Sequence, residues 1–350
     1  MNVKQLFYIG LLFSAGLLNA QTDFRAGYLI KLNNDTLIGE IDYRGDLLMG
    51  KVCRFRAIDT RTEINYSPND IIAYRFNEGK YYVSKEFNGN KVFVRFLIKG
   101  KINIYYLRDD TGGHYFLEKE DKGIIEIPYE EEIRYKDDVR YFYRSSKHIG
   151  ILIYYMQDAP GFQTRIANMG KPEQENLIKL AQDYNNIVSK DEACVIYEKK
   201  LPALIFNIEI IAGIIQYQIS GENIEKNYFQ AGIVTHFWMP KVNEKLYFKT
   251  GFLYSTLPEN NTRAGTFTFP IQIEYLYPRG NVQPILAFGI NLYSPFYQSV
   301  AFAGGVRFKL DKSISLGINY NVDFNPDPKF QLLPKSLLSQ SLTAGLIIRL

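Results

Sequence analysis

The residues of this 350-residue chain best equipped for chemistry are Glu209, His236, Lys249, Glu274, Arg307, Lys309 and Arg349. Most sit between apolar neighbours, with Thr235 and Thr250 as the exceptions, so in extended segments they share one face and the mostly apolar residues take the other. Carboxylates, one imidazole and several cations on a confined face have two uses. Glu209, His236 and Glu274 could relay a proton or an ion, because an imidazole titrates near neutral pH. Alternatively the same groups form a salt-bridged plug, with Glu209 and Glu274 accepting from Arg307 and Arg349. Unpaired charges in such a place cost several kcal/mol each, so a structural charge network of Glu209, His236, Lys249, Glu274, Arg307 and Arg349 is the favoured reading.

Other chemistry finds little material. Three His and two Cys leave no spacing suited to a metal site. Neither G-x-S-x-G nor H-E-x-x-H occurs, no Gly-rich phosphate loop is present, and no nucleophile–base set stands out. The expectation is a non-enzymatic protein with no cofactor, no metal and no catalytic residues. An envelope enzyme with its site in the N-terminal module is the weaker alternative. Lys and Arg number 41 against 37 Asp and Glu, for a net charge of +4 without a basic block, which argues against a nucleic-acid partner. Cys53 and Cys194 could form a disulfide in an oxidising compartment, or each could serve as a small buried hydrophobe.

The elements that must position these residues begin at Ala203. From there apolar and polar residues alternate with period two in runs near 203–217, 229–237, 245–256, 265–277, 282–292, 297–310, 313–324 and 341–350. Eight such runs, about 10 to 16 residues each, exceed the roughly 5–6 residues of an ordinary strand and match a tilted membrane strand. The polar face is rich in Gly, Ser, Asn and Gln, as a narrow wet lumen requires, whereas the other face would be an aggregation hazard in water. The intervening gaps read as long at Ser220–Lys226, Leu257–Ala264 and Asn325–Gln340, and tight at Pro240–Glu244, Pro278–Asn281 and Asp311-Lys312. Tyr275 and Tyr277, with Tyr293, Phe296 and Tyr297, suit aromatic girdles. The rival reading is a soluble antiparallel sandwich.

Met1–Ala20 has the charged start, 13-residue apolar run and small-residue end of a secretory signal peptide. Residues 21–143 show ten shorter strand signals separated by turn residues such as Asn33-Asn34-Asp35 and Thr111-Gly112-Gly113, suggesting a sandwich-like β domain. Residues 144–200 form a helical linker segment, with Leu177, Leu180, Ala181, Tyr184, Ile187 and Val188 recurring at helical spacing. That stripe is expected to pack on the β domain or across the barrel mouth. The stretch "YEEEIRYKDDVRYFYR" reads as a solvated strand edge or linker. The fold class is therefore all-β with a small helical insert: an eight-stranded antiparallel up-and-down transmembrane barrel at 201–350, preceded by a β-sandwich-like periplasmic domain.

A leader ending in Ala-Gln, a soluble module carrying "GYLIKLNNDTLIGEI", and a barrel closing on "SLTAGLIIRL" resemble the outer-membrane β-barrel proteins of Bacteroidota, the porin-like or PorT-like barrel group. Leu350 stands where such proteins usually end in an aromatic residue. The resemblance implies an outer-membrane location with the N-terminal domain in the periplasm. Its implied partners are outer-membrane lipid and other envelope proteins, met through that domain or through the loop 325–340. An accessory role in ligand binding or transport through extracellular loops is the alternative.

Overall fold

The computed structural model describes residues 23–350 except 60, 78, 88, 190–191, 200, 220–221, 241–242, 260–261, 278–279, 295–296 and 325–336. The leader Met1–Ala20, the girdle residue Phe296 and most of the loop 325–340 lie outside the described residues. The chain divides into two compact units, Met1–Lys199 and Lys200–Leu350. No helix among the described residues is long and apolar enough to cross a membrane.

The first unit is built on one long antiparallel sheet. Its strands are β1 (Phe24–Lys31), β2 (Thr36–Asp42), β3 (Cys53–Ala57), β4 (Glu63–Tyr66), β5 (Ile71–Phe76), β6 (Tyr81–Phe87), β7 (Asn90–Lys99), β8 (Asn103–Arg108), β9 (Gly113–Lys119) and β10 (Gly123–Glu126). They follow the order β10-β9-β8-β7-β6-β5-β1-β2-β3-β4, so the sandwich-like module is a single continuous sheet with open edges at β10 and β4. The turn before β2 places Asn34 at φ 67°, a conformation Asn tolerates better than branched residues. "YEEEIRYKDDVRYFYR" forms a separate hairpin of β11 (Glu131–Lys136) and β12 (Val139–Arg144). Asp137 and Asp138 both have positive φ there, the geometry of a tight two-residue hairpin turn.

Three helices follow the sheet: α2 (Lys147–Tyr155), α3 (Gln163–Ala167) and α4 (Gln174–Val188); a single-turn helix, α1 (Asp46–Met49), lies earlier between β2 and β3. Leu177, Leu180, Ala181 and Tyr184 lie on one stripe of α4 and are buried with Leu97, Ile104 and Leu117 of the sheet and Leu152 and Tyr155 of α2. Of the placements expected for this stripe, the sheet is its partner. A two-residue strand, β13 (Val195–Ile196), then pairs with β7.

The second unit is a closed barrel of β14 (Ile205–Ile219), β15 (Glu222–Trp238), β16 (Leu246–Glu259), β17 (Thr262–Leu276), β18 (Val282–Tyr293), β19 (Tyr297–Lys309), β20 (Ile314–Phe324) and β21 (Leu337–Arg349). All neighbours are antiparallel, and β14 pairs with β21 from Asn207↔Arg349 to Ile219↔Leu337, which closes the ring. Two gaps read as long loops are strand instead. Pairing runs to Ile219↔Glu222 and to Glu259↔Thr262, inside the stretches read as loops. The polar residues of these hairpins mimic loops in sequence, because their composition carries no apolar alternation to mark them as strand.

Candidate functional site

Alternation decides which side chains enter the barrel. Ile210, Phe229, Phe252, Phe269, Ile273, Phe288 and Phe302 point outward and are exposed, whereas Glu209, His236, Lys249, Glu274 and Arg307 point inward and are buried. The inverted polarity leaves a charged network in the lumen. Glu209 and His236 are each 1% exposed, and His236 Nε2 lies 2.9 Å from Glu209 Oε2. His236 Nδ1 lies 3.4 Å from Glu274 Oε1, at ion-pair distance. Arg307 Nη2 donates to Glu274 Oε1 at 3.2 Å. The chain Glu209–His236–Glu274–Arg307 therefore ties β14, β15, β17 and β19 together through their side chains.

The Glu209 carboxylate lies against the neighbouring strands β21 and β20, over a spot cleared by glycine. A Cβ on Gly345 would stand 2.2 Å from Glu209 Oε1, and one on Gly317 2.9 Å. Any side chain at Gly345 would therefore displace the anion. Lys249 occupies the position opposite His236 in the β15–β16 register and opposite Gln272 in the β16–β17 register.

Two expectations need correction. Arg349 accepts no role between the glutamates: it is exposed, at the rim where β21 ends, with its guanidinium 5.3 Å from the Trp238 ring centre. Alternation gave its side of the wall correctly, but its height along the strand puts it at the opening. Tyr293 is not a girdle residue, for it is buried inside the barrel and its hydroxyl donates to Asp323.

Asp323 is the lumen anion that the sequence reading missed, although it follows Asn319 and Asn321 on the same face of β20. It also accepts from Asn291 Nδ2 at 2.9 Å and Ser339 Oγ at 3.3 Å, while Gln272 Nε2 donates to Asn291 Oδ1 at 2.8 Å. With the Tyr217–Ser255 hydroxyl contact at 2.9 Å, side-chain bonds inside the lumen reach all eight strands. Such a web fills and braces a narrow barrel, in which there is room for side chains and little else.

Cys53 and Cys194 are free thiols that the structure does not bond to each other. Cys53 is buried among Leu29, Phe55 and Tyr74, where burial pushes its pKa up, and Cys194 packs against the helix–sheet core. Cys53 is thus a small buried hydrophobe, while Cys194 is only partly buried.

The first unit holds its own polar cluster, unforeseen from sequence because its members come from distant segments. Arg95, 6% exposed, donates through Nη1 to Asp46 Oδ2 at 2.9 Å and through Nη2 to Gln174 of α4, and its Nε lies 2.9 Å from Glu198 Oε1. Lys80 Nζ and the Tyr82 hydroxyl each donate to Asp46 Oδ1 at 2.6 Å. Burial alone would push the Asp46 carboxyl up, but Arg95 and Lys80 hold it below the usual carboxylate range. The cluster joins sheet to helix. On the surface, His114 lies 2.7 Å from Glu126 and 3.1 Å from Asp109. Asp109 is held down to about 2, chiefly by the Thr111 hydroxyl. Among the described residues no group of three or more His, Cys, Asp or Glu is placed to hold a metal ion.

No family model and no curated protein matches the chain. Solved structures similar to it include Neisserial surface protein A, with 14% identity over 41% of this chain and 96% of that one, TM-score 0.34. The N-terminal β-barrel domain of Pseudomonas aeruginosa OprF has 10% identity over 41% and 97%, TM-score 0.27. Ail, the attachment invasion locus protein of Yersinia pestis, has 12% identity over 42% and 100%, TM-score 0.30. None of these comparisons carries the attribution to Bacteroidota.

Proposed function

We propose that this chain is a non-enzymatic outer-membrane protein whose filled barrel anchors the first unit in the periplasm, where that unit meets other envelope components. The observation that carries the reading is the barrel's inside-out polarity. A closed ring whose exposed band is Phe, Ile and Leu and whose interior holds charges is soluble in lipid and poorly soluble in water. The braced lumen supports anchoring over passage, because an eight-stranded barrel has no open channel once its side chains fill it. The open edges β4 and β10 and the exposed aromatic hairpin β11–β12 offer the first unit's surface to a protein partner.

Gel migration of the membrane fraction before and after boiling tests the barrel. The unboiled protein is expected to run as a compact form that boiling converts to its unfolded mobility. Recovery of the mature chain in an osmotic-shock extract without detergent would overturn the reading. Co-purification from mild detergent then separates roles: envelope-assembly proteins support anchoring, and a nutrient transporter supports an accessory role for the loop 325–340.

A further inference from the structure

We propose that the rim of the barrel where β14 begins and β21 ends carries a binding site for a small organic anion, an oxyanion such as a carboxylate on a short apolar stem. This inference stands on the barrel's own geometry, independent of its membrane setting and of what the first unit binds.

A cavity of about 240 Å³ opens at this rim. Its polar lining is built and buried: Gln283 is 1%, Arg307 4% and Asn207 5% exposed. Each contributes a buried polar atom without a hydrogen-bond partner among the described residues, namely Gln283 Oε1, Arg307 Nε and Asn207 Oδ1, and Trp238 adds its indole Nε1. Buried polar groups are nearly always satisfied, so four orphans lining one cavity mark a place where a ligand completes the bonding. Arg307 Nε and the indole N–H are donors. The two amides become donors when the side chain turns its NH₂ inward, since the two orientations occupy the same space.

Charge selects the ligand's sign. Arg307, Lys309, Lys312 and Arg349 line the cavity against Glu244 and Asp311, an excess of cations. Arg307 spends only Nη2 on Glu274, so its Nε remains directed to other work. Arg307 and Arg349 are held at the cavity by the rings of Tyr247 and Trp238, at 5.5 and 5.3 Å. The rest of the wall is apolar, with Leu201, Leu276, Pro240 and Ile347, which suits a short hydrocarbon stem. A volume just below the usual range for ligand pockets restricts the occupant to a small molecule.

The chain has a single tryptophan, so Trp238 emission reports on this cavity alone. The full chain, folded in detergent, would be titrated with sodium pentanoate, with acetate and chloride at matched ionic strength as controls, and the pentanoate titration repeated by calorimetry. The expected result is a saturable response to pentanoate, at lower concentration than to acetate and absent with chloride. The K309Q/K312Q variant, which keeps the buried lining intact, is expected to raise the pentanoate Kd at least tenfold while still showing the boiling-dependent gel shift. A pentanoate response no different from chloride in both measurements, equal binding of acetate, or an unchanged Kd in the folded double variant would each overturn the proposal.

Discussion

Arg307 shows how much one side chain settles in a narrow barrel. Replacing it with Leu leaves the Glu274 carboxylate buried with one cationic neighbour fewer, and removing one partner of a buried pair costs about 3–5 kcal/mol. R307L is therefore expected to lower the temperature at which the compact gel form is lost, and R307L/E274Q to recover much of that loss by removing both charges. A midpoint for R307L equal to that of the parent would show that the pair does not brace the barrel. At this scale the sequence was informative about direction and silent about depth. Glu209, His236, Lys249, Glu274 and Arg307 all face inward, as period two requires. Alternation cannot tell the middle of a wall from its lip, and so Arg349 was matched with glutamates that it does not meet.

Among the elements, α4 has the clearest energetic role. Leu177 is fully buried between helix and sheet, and truncating such a residue to Ala typically costs 2–5 kcal/mol. L177A is expected to destabilise the first unit by that order in a denaturant titration followed by near-UV circular dichroism. K179A, on the exposed side of the same helix, is expected to change it by less than about 0.5 kcal/mol. The helix was legible because its apolar residues repeat every three to four positions. The Asp46–Arg95–Gln174–Glu198 cluster was not, because no local periodicity links a one-turn helix, a strand and two later segments. The hairpins ending at Glu222 and Thr262 were hidden for the opposite reason, since local composition argued for loops and only pairing with a neighbour reveals strands.

For the whole molecule, the exposed apolar band makes a depth-dependent prediction. Phe288 lies midway along β18 and is 56% exposed, so F288R should cost about 2–4 kcal/mol if lipid surrounds the barrel. Leu310, just past the end of β19, should tolerate Arg at a cost of about 0–1 kcal/mol. Refolding yield into liposomes across a urea series measures both, and equal sensitivity at the two positions would mean that the band does not sit in hydrocarbon. The strand count and the direction of the charged wall residues could be read from sequence because a barrel wall is a repeating two-residue code, whereas Tyr293 and Asp323 were not placed by it. Ring closure itself could not, since it depends on two segments far apart in the chain.

That closure sets an order of events. β14 finds its second neighbour only in β21, the last of the eight barrel strands, so β14 and β20 each keep an unsatisfied border until Leu337–Arg349 arrives. Such distant pairing is slow and leaves sticky intermediates. Until that last stave arrives the wall is a curled sheet with two raw margins, and the hoop that makes it a barrel is a single seam.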